Sequence, residues 1–261
     1  MKTGGLVLQT PSYMMRRRII LHLLKKFPPG RFLEIGCGRG ELLPYLAELG
    51  FEGIGLEISP EAFPLAREIA RKYGPRLIIV PNENFLPDER FKYIFAFEVL
   101  EHIQNDTEAL LRWTRWLDPG GFLVISVPAH MKSWSSADDA VGHYRRYEPD
   151  ALCRLLERCG YRIEYFWNYG FPISGLMRLV RHFVYGSISP ESLTLSKENR
   201  TLHSSIESTM KTPFAHETER YLIAFAETVG LILHLMQLPF KGTELGDNYL
   251  VTCRLRQSSN G

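Results

Sequence analysis

Phe32-Leu33-Glu34-Ile35-Gly36-Cys37-Gly38-Arg39-Gly40 runs from an apolar strand through an acidic residue into three glycines at alternating positions. Glycines so spaced leave no side chain between the backbone and a ligand, so a nucleotide-like molecule can lie against the turn. The residues that follow, Glu41-Leu42-Leu43-Pro44-Tyr45-Leu46-Ala47, predict a helix whose first amides point back at the same spot. A strand, a bare turn and a helix in this order open a cofactor-binding α/β unit.

The pattern outward from this unit repeats strand and helix. A helical alternation from Ser12 to Phe27 stops at Pro28-Pro29-Gly30. Gly53-Ile54-Gly55-Leu56-Glu57-Ile58 predicts a second strand ending in an acid, and Ser59-Pro60-Glu61 opens a helix with Ser59 as N-cap. Arg76 to Val80, Tyr93 to Phe97 and Phe122 to Val127 predict three more strands, the last preceded by an Asp118-Pro119-Gly120-Gly121 turn. Strands alternating with helices imply a parallel sheet covered on both faces, with ligands at the carboxyl ends of the strands. Two further strands, Tyr161 to Trp167 and Asn248 to Arg256, bracket a long stretch rich in aromatics, Leu, Ile and Met, expected to be inserted helices.

Composition narrows the function classes. A net charge of +2 over 261 residues gives no bulk attraction to nucleic acid. Cys37, Cys153, Cys159 and Cys253 have neither metal-ligand spacing nor a disulfide framework, which favours a reducing, cytoplasmic setting. No signal peptide is evident, since the basic cluster Arg16-Arg17-Arg18 follows the short apolar run Leu6-Val7-Leu8. Tyr221 to Phe240 has the length of a bilayer span, but Glu227 and Gln237 interrupt it and Gly230 and Pro239 weaken it.

Glycine spacing separates two cofactor classes. A dinucleotide fingerprint asks for a third glycine three positions after the second, where this chain has Glu41, and a carboxylate there repels a diphosphate. Glu34 instead suits a ligand carrying positive charge. Glu57, about twenty residues past Gly36, is placed to accept both hydroxyls of a ribose. Pro81-Asn82-Glu83-Asn84-Phe85 offers polar groups to an adenine and a ring to stack on it. Glu98 and His102, four apart, share one face of a helical turn; the spacing also occurs in metal sites, but no third ligand is apparent, and no metal is expected.

The Glu-x-Gly-x-Gly-x-Gly pattern at Glu34–Gly40 and the segment Glu98-Val99-Leu100-Glu101-His102 resemble motifs of class I S-adenosylmethionine-dependent methyltransferases, in particular the small-molecule type that includes ubiquinone-biosynthesis O-methyltransferases. The resemblance covers roughly Phe32 to Tyr161. It implies a Rossmann-like, seven-stranded, mostly parallel sheet with an antiparallel last strand, and S-adenosylmethionine as cofactor, released as S-adenosylhomocysteine. The cofactor residues it implies are Glu34, Gly36, Cys37, Gly38, Gly40, Glu57, Ile58, Glu83, Asn84, Phe85, Glu98, Val99 and His102. The Asn/Asp-Pro-Pro-Tyr signature used at this strand end by many base methyltransferases is absent, so nucleic-acid substrates are not expected.

Gly142-His143-Tyr144-Arg145-Arg146-Tyr147, ahead of the helix from Ala151 to Cys159, resembles the substrate-facing loop of the same group. Tyr144, Arg145, Arg146 and Tyr147 are its expected substrate contacts. His143 or His130 could take a proton from an attacking hydroxyl, an imidazole titrating near neutral pH; the alternative is that the loop only caps helices and binds the cofactor carboxylate. The expected organisation is an N-terminal helical lid (1–30), the core (31–168), a helical insertion capping the substrate (169–240) and the last strand with a tail (241–261). Basic residues among apolar ones in Gly175 to Val184, and the apolar run Leu222 to Leu238, point to a small lipophilic or aromatic acceptor, with peripheral membrane contact or a homodimer face as further uses of the insertion. Methylation of protein or RNA, or cofactor binding without catalysis, are the competing functions.

Overall fold

The computed structural model describes residues 7–173, 196–197, 200, 209–211 and 216–256. Its elements in chain order are β1 (Val7–Gln9), α1 (Pro11–Leu24), β2 (Arg31–Ile35), α2 (Leu43–Glu48), β3 (Glu52–Leu56), α3 (Ala62–Ala70), β4 (Leu77–Val80), β5 (Phe91–Phe97), α4 (Asp106–Trp116), β6 (Leu117–Pro128), α5 (Ser136–Val141), α6 (Pro149–Arg158), β7 (Tyr161–Tyr169), β8 (Thr209–Lys211), α7 (His216–Gln237) and β9 (Asn248–Leu255). Seven strands form one sheet in the order β4-β3-β2-β5-β6-β9-β7, and β1 pairs with β8 in a separate two-stranded ribbon.

The first five strands of the sheet are mutually parallel, whereas β9 runs antiparallel to both β6 and β7. The last strand in sequence is therefore interior, and Tyr169 at the end of β7 lies in register with Asn248 at the start of β9. Apolar side chains alternate between two faces, as the pleat requires. On one face Leu33, Ile94, Leu123 and Val251 meet Leu110, Trp113 and Leu156 of the covering helices. On the other Phe32, Tyr93, Phe95 and Phe122 meet Ile19, Ile20, Leu23 and Leu24 of α1. Both faces are thus sealed, and the strand tips are left to carry the polar residues.

Several boundaries differ from the sequence expectation. The helix after the glycine turn begins at Leu43 because the Gly40 carbonyl first accepts the Leu43 amide in a turn. Ser59 does cap the next segment: its Oγ accepts from Ala62 N at 3.3 Å and its carbonyl from Phe63 N at 2.9 Å, while the regular helix starts at Ala62. The expected turn at Asp118–Gly121 is carried inside β6, where Leu117 pairs with Phe91 and Phe122 with Tyr93, so the intervening residues bulge. The insertion stretch Gly175 to Val184 lies outside the described residues.

Candidate functional site

The glycine turn is held open by hydrogen bonds that commit its flanking amides to the neighbouring strand. Gly36 N and Cys37 N both donate to the Leu56 carbonyl, at 2.9 and 3.1 Å, which ties the turn to the tip of β3. Gly36, Gly38 and Gly40 all have positive φ, at 66°, 56° and 75°. A Cβ on Gly36 would meet Val99 Cγ2 at 2.7 Å and one on Gly40 would meet the Ala66 backbone at 3.0 Å, but one on Gly38 would meet nothing within 4 Å. Gly38 is the bare point of the cradle; the other two glycines admit close packing.

Glu57 stands under that point. Its Oε2 accepts from Gly38 N at 2.7 Å and its Oε1 from Ser59 N at 2.7 Å, with the residue only 3% exposed. Burial pushes its carboxyl upward, and the amides of Ser59, Gly38 and Ile58 pull it back. A carboxylate has about four acceptor sites, so acceptor capacity remains for a ligand's hydroxyl. Ile58 and Phe85 are both strongly exposed at the neighbouring tips of β3 and β4, unusual for large apolar side chains. In the same loop, Asn84 N donates to Asn82 Oδ1, and Glu83 is paired with Arg112 of α4 at 3.0 Å.

On the other side of the turn Glu34 is buried, and its Oε2 has no hydrogen-bond partner among the described residues. Burial, then the neighbouring Glu57, raise its carboxyl to about 8, against the pull of Arg16. Arg16 projects from α1 across the strand tips, where it lies 3.9 Å from Glu98 Oε2 and in the field of Tyr169, Tyr13 and Glu101. Glu98 sits at φ 57° at the end of β5; its amide donates to the Ser126 carbonyl, and its Oε1 accepts from Ser126 Oγ at 2.7 Å and Tyr169 OH at 3.4 Å.

Past Glu98 the chain makes a short 3-10 turn, Leu100–His102, that buries Glu101 completely. Both Glu101 oxygens lack hydrogen-bond partners among the described residues, and burial with the adjacent Glu98 charge pushes its carboxyl well above the usual range. His102 is pushed down to about 3 by burial and by His143, whose ring meets it edge to face with centroids 4.6 Å apart. His143 Nδ1 lies 2.9 Å from Asp138 Oδ1, and its Nε2 3.9 Å from Glu101 Oε1. Sequence reasoning picked Glu98 and His102 here and missed Glu101; the Glu-His adjacency was the available signal.

The loop before α6 is knit together by its own charged side chains. Arg146 forks onto Asp138, with Nε at 2.8 Å and Nη2 at 3.1 Å, and also reaches the Ala129 carbonyl. Arg145 pairs with Asp106 at 2.6 Å, and the buried Tyr147 hydroxyl lies 3.1 Å from the same carboxylate. These three side chains are committed to the loop's own architecture. The Tyr144 amide donates to the Glu101 carbonyl at 2.8 Å, and Lys197 lies over the Tyr144 ring while donating to the His143 carbonyl at 2.9 Å, so the insertion reaches this loop. His130, at φ 61°, is buried: Nε2 lies 3.0 Å from the Glu244 carbonyl and Nδ1 3.4 Å from Glu148. The Tyr249 hydroxyl, in β9, also lies 3.5 Å from its Nδ1.

A family model described as a methyltransferase domain matches residues 9–165. A ubiquinone biosynthesis O-methyltransferase of Cereibacter sphaeroides is 32% identical over 102 residues, 37% of this chain and 40% of that one. Its counterpart in a Bradyrhizobium species is 32% identical over 123 residues, 46% and 48% of the two chains. The matched region thus spans less than half the length of these curated relatives. Among solved structures, an N-methyltransferase of Haemonchus contortus superposes with a TM-score of 0.56 at 17% identity, over 93% of this chain and 52% of that one. The [4+2]-cyclase SpnF superposes at 0.55 with 16% identity, over 98% and 88%. Likeness at such identities speaks for the fold alone, which hosts more than one chemistry. With the matched model spanning more than half of its residues, the chain belongs to the class I S-adenosylmethionine-dependent methyltransferases.

Proposed function

We propose that this protein transfers a methyl group from S-adenosylmethionine to a hydroxyl of a small lipophilic or aromatic acceptor. The observation that carries the donor half is the pairing of Glu57 with the Gly38 amide, a buried carboxylate with spare acceptor capacity beside a glycine that has open space where a side chain would be. The residues present fit the donor along its length. Ile58 and Phe85 offer exposed apolar surface to the adenine, Glu57 accepts from the ribose hydroxyls, Gly38 bares its backbone to the nucleoside, and the unpartnered Glu34 oxygen faces positive charge. Glu83 and Asn84 extend the adenine side, while Glu98, Val99 and His102 line the methionine side.

When bound, the donor supplies a sulfonium methyl that already carries its leaving group. What remains for the protein is to align the acceptor, exclude water and take the hydroxyl proton. His143 takes that proton in this reading, supported by Asp138, which holds its Nδ1 at 2.9 Å and leaves Nε2 as the acceptor. Arg16 on α1 and Lys197 in the insertion support the use of the N-terminal helix as a lid and of the insertion as an acceptor cap. No described helix is long and apolar enough to cross a membrane. The exposed row Leu231, Ile232, Leu235 and Met236 on α7 supports contact of the insertion with a bilayer surface or a second copy.

Calorimetric titration with S-adenosylmethionine beside NAD tests the donor half, and labelled-methyl transfer into metabolite extracts tests the acceptor half. Binding of NAD with none of the sulfonium nucleoside would overturn the proposal. Incorporation of label only into protein or RNA would replace the acceptor class.

A further inference from the structure

We propose that Tyr13 of α1 is a donor-binding residue: its hydroxyl and the free Glu34 oxygen together take the ammonium at the methionine end, so the site selects a nucleoside that carries an amino group there. Its role rests on the S-adenosylmethionine reading of the site.

The first turn of α1 is fixed from several directions. Thr10 caps it, with its Oγ1 accepting from Tyr13 N at 3.3 Å and its carbonyl from Met14 N at 3.0 Å. Just ahead of the cap, β1 is paired with β8 through Gln9 and Thr209. Tyr13, Arg16 and Arg17 are three and four residues apart, hence on one helix face. That face looks onto α2 and the glycine turn. Arg17 reaches the Tyr45 hydroxyl at 2.6 Å and lies 4.5 Å above its ring, while the Tyr13 phenol stands in the fields of Glu41 and Glu34 at the two ends of the turn. The Arg16 guanidinium lies over the Tyr13 ring, 5.4 Å from its centroid.

Two unpaired polar atoms belong to this face. The Tyr13 hydroxyl oxygen is shielded from solvent and has no hydrogen-bond partner among the described residues, and Glu34 Oε2 is in the same condition. A buried phenol normally finds a partner, and leaving it without one is costly, so packing alone would favour phenylalanine at this position. Burial, then the Glu41 charge, holds the phenol far above its ordinary titration range. It therefore stays a neutral O–H with lone pairs to offer. A carboxylate oxygen and a phenol oxygen both accept, and a cation with several N–H groups, which an ammonium is, satisfies the two at once.

The protein's own cations leave this place open. Arg17 is engaged by Tyr45 and Glu227, and Arg16 attracts Glu34 through space yet leaves its Oε2 without a hydrogen bond. Glu41 is answered by Arg39 at 3.9 Å, so Glu34 is the acid whose charge a ligand completes. The first turn of α1 thus covers the amino-acid end of the donor, as Ile58 and Phe85 cover its adenine.

The test compares full-length wild type with Tyr13→Phe, which removes one oxygen and keeps the ring. Calorimetry measures S-adenosylhomocysteine and its deaminated analogue, with hydrogen in place of the amino group, the weaker ligand being read by competition. Expected in Tyr13→Phe is a loss of about tenfold or more for S-adenosylhomocysteine and a change of less than about twofold for the deaminated analogue. The ligand-free variant should melt at or above the wild-type temperature, since an unpaired buried hydroxyl has been removed. Equal affinity of the two proteins for S-adenosylhomocysteine, or equal losses for both ligands, would overturn the role of Tyr13. Melting several degrees below wild type would assign the hydroxyl to the fold and overturn it as well. Failure of wild type to bind either S-adenosylhomocysteine or S-adenosylmethionine would instead overturn the donor reading itself.

Discussion

Glu57 Oε2 and the Gly38 amide are joined at 2.7 Å, so the residue proposed to hold the donor's sugar also sets the shape of the turn that receives it. Glu57→Gln puts an amide NH2 against either Gly38 N–H or Ser59 N–H, a donor facing a donor. Each charge-assisted bond of this kind contributes about 1.5–3 kcal/mol. Calorimetry should show donor affinity falling by about tenfold or more, with a melting temperature several degrees lower; an unchanged affinity would remove Glu57 from the donor site.

The three glycines of the turn should respond differently to alanine. At Gly38 the cost to stability is only that of a left-handed backbone, about 1–2 kcal/mol, because open space surrounds the new methyl. Donor affinity should nevertheless collapse, since that space is where the nucleoside lies. Gly40→Ala presses on the Ala66 backbone and adds about 1–3 kcal/mol of destabilisation to the same backbone cost. Denaturant unfolding in parallel with donor titration separates the two effects, and equal loss of stability in both variants would contradict the assignment.

Donor binding should release a proton near neutral pH. Glu34 is held at about 8 by burial and Glu57, with Arg16 opposing them and the buried Cys37 and Tyr13 close by. The raised value means the folded ligand-free protein binds more protons than the unfolded chain between about pH 4.5 and 8. Its stability therefore falls as pH rises through that window, by at most about 1.4 kcal/mol per unit. A donor bringing positive charge favours the ionised form, so affinity rises from about pH 6 to 8. Calorimetry in buffers of different ionisation enthalpy measures the released proton, and Glu34→Gln should abolish the release; an unaltered release in that variant would assign it elsewhere.

Docking of α1 depends on a charge cluster with α7. Glu227 accepts from Arg17 and Arg18, both at 2.6 Å, and Arg17 is almost fully buried while Glu227 is partly exposed. Tyr45 OH accepts from the other Arg17 nitrogen at 2.6 Å. Glu227→Ala removes the carboxylate that faces a buried guanidinium, and should cost about 1–3 kcal/mol after allowance for the exposure of Glu227. Thermal unfolding in low and high salt checks this, the loss shrinking as salt screens the wild-type cluster.

The core was legible in the sequence because its signals are local. Glycines at alternating positions, an acid at the next strand tip and apolar runs of strand length all follow from neighbours in the chain, and each fell on the expected tip. Glu101 was not legible, because in a 3-10 turn nothing local says which of Glu98 and Glu101 faces inward. The meeting of His143 with His102 is a tertiary event, set by the α5 capping box that turns the later loop back over the earlier one. Asp106 and Asp138, the partners of Arg145, Arg146 and Tyr147, were not legible because only the fold brings them beside those side chains. The Asp118–Gly121 stretch carries turn chemistry yet lies within a strand, because β5 continues past it and offers Phe91 as a partner.

The registry of Tyr169 with Asn248 has an evolutionary corollary. Both ends of the inserted segment are anchored on a single ladder rung, so to the sheet everything from 170 to 247 is one connection between two antiparallel neighbours. Segments of other lengths could be grafted across that rung without changing the strand order of the sheet.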